Sequence, residues 1–176
     1  VAVIVGPALP ETYSERIESV WDDLVAEFGI ERYVNPYPHV TLSPLADDVD
    51  VDRVETAVRD ACRSHDPVPV RTDGVGVFPQ TAVWLPVARS PELAALHRDV
   101  VDALAGFGEP PVPFYEPERW FPHVGLALGI DDELAGEIVT YLLEYDFQWA
   151  FEFETIAITR PPADADEHEL VTEIEL

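Results

Sequence analysis

The segment Tyr37-Pro38-His39-Val40-Thr41-Leu42 returns in the second half of the chain as Phe121-Pro122-His123-Val124-Gly125-Leu126. Each copy carries one imidazole behind an aromatic-Pro pair. Histidine titrates near neutral pH, so two rings brought together can hold one proton between them, one withdrawing a proton while the other gives one. That chemistry tolerates little slack, since about 1 Å of misplacement can cost on the order of a hundredfold in rate. A strand supplies the stiffness. Its side chains alternate between faces, which puts His39 and Thr41 on one face and turns Val40 and Leu42 into a core. The same alternation groups His123 with Gly125 and sets Val124 and Leu126 behind them.

The rest of the chain reads as a frame for these two strands. Residues 1–6 form an apolar strand, too short and too poor in basic residues for a signal peptide. Pro10-Glu11-Thr12-Tyr13 opens a helix with Ile17, Val20, Trp21, Leu24 and Phe28 at helical spacing, and Gly29 ends it. The His39 strand leaves through Ser43-Pro44. A second helix from Asp50 turns Val51, Val54, Val58 and Cys62 inward. Residues 67–71 and 74–78 are extended, and the turn at Pro79-Gln80-Thr81 makes 82–87 a hairpin partner. Ser90-Pro91-Glu92 caps a third helix, which stops at Gly106. A loop rich in Pro and Glu, 108–118, leads to the His123 strand. Asp131-Asp132-Glu133 opens a fourth helix, 147–158 alternates as one long strand, and 168–176 returns as the last. Helices and strands interleave, and the two histidine strands occupy matching places. The expected fold is therefore α+β: one domain, 1–176, of two pseudo-twofold lobes, with two antiparallel-rich sheets lining a central cleft and helices outside.

Charge narrows the partners. Acidic residues number 35 against 10 basic ones, all arginine, for a net charge of −25. Such a surface repels itself in dilute buffer. At about 1 M salt the Debye length falls to roughly 3 Å and screens most of that repulsion. The expectation is a protein of a molar-salt (halophilic) cytoplasm. A basic footprint for long nucleic acid is missing, so any phosphate must be held locally. No apolar run approaches the roughly 18 residues that cross a bilayer. The lone Cys62 cannot form an internal disulfide and reads as helix packing in a reducing compartment. Neither a metal-ligand spacing nor a dinucleotide fingerprint is present; Gly74 and Gly76 lack the third glycine and the following helix.

At the two histidine segments the chain resembles the 2H phosphoesterase superfamily and, within it, the 2′-5′ RNA ligase branch. That family is defined by two His-x-Thr/Ser motifs, each on a strand in one lobe. His39-Val40-Thr41 matches in full, whereas His123-Val124-Gly125 keeps the histidine and lacks the hydroxyl. Gly76-Val77-Phe78-Pro79, Val83-Trp84-Leu85 and Leu93-Ala94-Ala95-Leu96-His97 are similar to the family's middle segment, and the element order fits from end to end. The resemblance implies a phosphodiester held between His39 and His123, typically a 2′,3′-cyclic phosphate on an RNA end or small nucleotide, opened without metal or cofactor. It implies hydroxyls two residues after each histidine, directed at the non-bridging oxygens where charge accumulates. Thr41 fills one such place. At Gly125 the backbone amide, a water or Arg119 takes over. The same site running 2′-5′ ligation or cleavage is one alternative. A non-catalytic RNA-end or phosphate-binding module is another, motivated by Gly125.

Neighbouring residues have plainer readings beside these. Tyr37, Phe78, Tyr115, Trp120 and Phe121 offer faces for stacking on a nucleobase, or they pack a core. Arg119 either clamps phosphate or pairs with Glu116 and Glu118. His97, on the apolar stripe of its helix, is expected to be a hydrogen-bonded core residue, and His65 and His168 to be solvated.

Overall fold

Local signals set most of the element boundaries. The computed structural model describes residues 3–32, 37–46, 48–108, 113–160 and 169–176. Strand β1 (Val3–Pro7) leads into helix α1 (Glu11–Phe28), which ends where Gly29 takes φ 63° and returns its N–H to the Val25 carbonyl. That left-handed turn costs a glycine nothing sterically. Then come β2 (Ser43–Leu45), α2 (Val51–Cys62), β3 (Val68–Thr72), β4 (Gly76–Phe78) and β5 (Ala82–Pro86). The second half holds α3 (Pro91–Leu104), β6 (His123–Leu128), α4 (Asp132–Leu142), β7 (Trp149–Phe153), β8 (Thr155–Arg160) and β9 (Glu169–Glu175). The Asp50, Ser90 and Asp131 side chains accept from the Arg53, Leu93 and Leu134 amides. Each thereby satisfies a backbone donor that the helix itself cannot.

The two halves repeat an order, strand-helix-strand-helix-strand-strand: β1 to β4, then β5 to β8. Strand β1 pairs with β2 and β8, while β5 pairs with β6 and β4; β3 and β7 pair with each other. Exchanging the halves leaves this pairing scheme unchanged, with β9 as an added edge. All the ladders are antiparallel. The helices flank the sheets, and one core holds Trp21, Leu42, Leu85, Leu96, Leu126 and Phe153. Among the described residues no helix is long and apolar enough to cross a membrane.

Three expectations need correction. Two sheets were expected, and the described residues form three: β2-β1-β8-β9, β4-β5-β6 and β3-β7. The latter two meet at one bridge, Thr72 with Val87, beside a 2.7 Å bond from the Ala88 amide to the Arg71 carbonyl. They stay separate because Gly74 turns the chain at φ 67° and Pro86 has no N–H to donate. Next, the long strand over 147–158 breaks at Glu154. Its first part pairs with β3 and its second with β1, so the chain changes sheets there.

The third correction concerns His39 itself. It forms only an isolated bridge with Ala8, and regular pairing starts at Ser43 opposite Val5. Ser43-Pro44 therefore lies inside a strand rather than leaving one. Three steps along β1 face four along its partner, which is a bulge carrying the motif. Gly6 permits the close approach: a Cβ there would fall 1.9 Å from the Val40 carbonyl oxygen. Val1, Ala2, the acidic turn at 161–167 and His168 lie outside the described residues, as do residues 109–112 of the proline-rich loop.

Candidate active site

Each aromatic-Pro-His segment holds its imidazole in the same way. Nδ1 of His39 lies 3.2 Å from the Tyr37 carbonyl oxygen, and Nδ1 of His123 lies 2.6 Å from that of Phe121. A residue before proline is confined to extended backbone, which turns its carbonyl back toward the ring two positions on. A carbonyl only accepts, so Nδ1 bears the hydrogen and the neutral ring presents a bare Nε2. In the first segment that Nε2 meets the Thr41 hydroxyl at 3.2 Å. Gly125 offers no equivalent.

His123 opens β6 opposite Pro86. Its ring meets Phe78 edge-on at 5.2 Å and Trp84 at 5.5 Å. Burial disfavours the imidazolium and pulls its pKa below the ordinary 6.5, against a smaller pull upward from the Phe121 carbonyl.

Two indoles cross between the motifs and other elements. Trp120, three residues before His123, donates Nε1–H to the Thr41 carbonyl at 3.0 Å, and Trp21 of α1 donates to the Gly125 carbonyl at 2.9 Å. The first bond ties one motif to the approach of the other. Trp120 is 2% exposed, with one face stacked on His97 at 3.8 Å and 2°. It is a core strut, the packing one of its two readings, and it also lines the cavity beside His123. His97 is fully buried with both ring nitrogens unpartnered, against the expectation of a hydrogen-bonded residue. The Leu42 and Tyr115 carbonyls favour its protonated form slightly without being aligned as acceptors, and burial dominates, pulling its pKa down to about 4.

A cavity of about 500 Å³ opens beside His123, walled by Phe78, Trp84, Tyr115, Arg119 and Gly125. Phe114 and Phe121 form an apolar lip, 63% and 65% exposed. Arg119 forms no ion pair with Glu116 or Glu118 among the described residues; its guanidinium lies 5.5 Å from the centre of the Phe114 ring. Burial raises the Tyr115 pKa, and the nearby Thr41 side chain offsets part of that rise. Tyr37 packs edge-on to the His39 ring at 5.9 Å, and burial, with Glu173 nearby, raises its pKa. Among the described residues no three His, Cys, Asp or Glu side chains converge as a metal-binding group.

The family model for the 2′-5′ RNA ligase superfamily matches residues 9–165. The chain belongs to that superfamily. No curated protein matches the sequence significantly. Among solved structures, TT0787 of Thermus thermophilus superposes with a TM-score of 0.75 at 15% identity, covering 100% of this chain and 98% of that one. E. coli LigT complexed with 3′-AMP gives 0.70 at 16% identity over 99% and 97% of the two chains. The MHV ns2 PDE domain gives 0.52 at 17% over 99% and 98%. These likenesses show the fold.

Within this superfamily member, one site feature escapes a reading of the sequence alone. Trp84 lines the cavity, and glycines stand opposite it on both neighbouring strands, Gly76 and Gly125. A Cβ at Gly76 would lie 2.5 Å from the indole, so the ring lies across the sheet where a side chain would otherwise stand. A tryptophan between two in-register glycines is a signal that only a known pairing makes readable. His65, expected in solvent, is largely buried and meets Asp99 at 2.8 Å.

Proposed function

We propose that the chain is a metal-independent phosphodiesterase that opens 2′,3′-cyclic phosphates on RNA ends or small nucleotides. The observation that carries this reading is the twofold use of one device: an imidazole held through Nδ1 by a carbonyl two residues upstream. In this reading residues 1–176 make one domain whose two lobes face each other across a cleft, with the phosphate between His39 and His123. His123, whose burial favours the neutral ring, takes a proton from the attacking water as the water oxygen bonds to phosphorus. One ring P–O bond breaks, and its oxygen receives the proton of the His39 imidazolium. Thr41, the Gly125 amide and Arg119 face the non-bridging oxygens. Phe78 and Phe121 flank the base, with Tyr37 on the His39 side.

The LigT structures support a nucleotide or phosphate ligand, since that protein was solved with 3′-AMP, NADP+, ATP and phosphate. Short substrates suit a surface of net charge −25 better than long RNA, which needs a basic track. The superfamily's name keeps 2′-5′ ligation or cleavage at the same site as a second reading, and Gly125 favours a third, phosphate binding without turnover. The test is incubation with a 2′,3′-cyclic nucleotide in molar KCl and EDTA, followed by phosphorus NMR. Conversion to a monoester is expected. Binding of the nucleotide without conversion would leave the binding module instead.

A further inference from the structure

The second histidine motif has no hydroxyl of its own, yet two hydroxyl residues line the cavity that His123 and Gly125 share: Thr81, which donates to the Pro79 carbonyl, and Tyr115. Tyr115 closes a single helical turn, Pro113–Tyr115, and its ring packs against the core. The Thr41 side chain, whose Oγ1 lies 3.2 Å from His39 Nε2, is near enough to favour the ionised phenol in part. The phenol thus stands where the wall of the His123 cavity reaches the first motif. Arg119 lines the same cavity, but it is exposed and sits over Phe114 at the lip. Burial pushes the Tyr115 pKa up, so the phenol keeps its proton through the neutral range.

We propose that Tyr115 is a catalytic residue that supplies the second phosphate-directed hydroxyl, in place of the one that Thr or Ser would carry at position 125. The assignment rests on the hydrolysis proposed above. As the cyclic ester opens, charge grows on two non-bridging oxygens; Thr41 Oγ1 donates to one and Tyr115 Oη to the other. Tyrosine forms no covalent bond and gives up no proton.

The test is a kinetic cycle with 2′,3′-cyclic AMP in molar KCl. Tyr115→Phe keeps the ring and removes only the hydroxyl; its kcat is expected to fall by about a hundredfold, the effect of one lost oxyanion donor, with KM little changed. Gly125→Ser in that background is expected to recover about tenfold or more, and Gly125→Ala to recover nothing. Thermal melts in the assay salt check that the variants are folded. A Tyr115→Phe enzyme as active as the wild type overturns the assignment while leaving hydrolysis intact. So does a serine at 125 that helps no more than alanine, which marks Tyr115 as a prop for Thr41. A wild-type protein that hydrolyses no cyclic phosphate overturns the hydrolytic reading and this assignment with it.

Discussion

The two histidine segments share a backbone device and differ in almost everything around it. His39 rides on a bulge of an edge segment, buried, with its Nε2 against a hydroxyl. His123 opens a regular strand, half-buried among Phe78 and Trp84. The repeated part, the aromatic-Pro-His run, fixes the tautomer. The unrepeated part sets the environment, and at His123 burial lowers the pKa. In the proposed reaction a duplicated scaffold divides one acid/base task by giving two chemically identical groups different surroundings.

The harshest way to break this comparison is to remove one ring at a time. His39→Ala and His123→Ala are each expected to lower kcat for a cyclic phosphate on the order of 10²–10⁴-fold, since each removes one proton-transfer partner. Turnover in the melting-checked variants decides it. If one variant keeps full activity, the pair is not a pair.

What the sequence made legible were features with short-range causes. Gly29, Asp50, Ser90 and Asp131 end or start helices through contacts within a few residues, so their signals survive without knowledge of the fold. The histidine device is equally local, because Pro38 and Pro122 act on their own neighbours. Features that depend on distant partners were misread. The bulge at His39 needs the close approach at Gly6. The break at Glu154 is invisible to an alternation that runs on through a change of sheet. Nor does the sequence alone show that α3 lays His97 on the face of Trp120.

That stack gives a second contrast, between a buried imidazole that belongs to the core and one that belongs to the cavity. His97 has a folded-state pKa of about 4 against an ordinary 6.5. Above pH 6.5 it is neutral folded or unfolded, and stability is full. As pH falls toward 4 the unfolded chain binds a proton that the folded one refuses, and stability is lost, by about 2 kcal/mol between pH 7 and pH 5. His97→Phe keeps a ring on Trp120 and removes the titration. Denaturant unfolding at the two pH values in molar salt should show the acid loss reduced by that amount. An unchanged loss would place the cause in another group.

The smallest expected effect sharpens the division of labour. Phe78 packs on His123 and stacks on Trp84 at 4.8 Å, keeping water from the ring whose burial lowers its pKa. Phe78→Ser admits water and raises that pKa toward 6.5. A general base works only when deprotonated, so the acidic limb of the kcat/KM profile should move to higher pH while the alkaline limb stays. If the alkaline limb moves instead, His123 is the acid and His39 the base, because an acid is lost as pH rises through its pKa. A profile in which neither limb moves would mean that the apolar wall does not set the titration of His123, and the contrast between the two rings would then have to come from the bulge under His39.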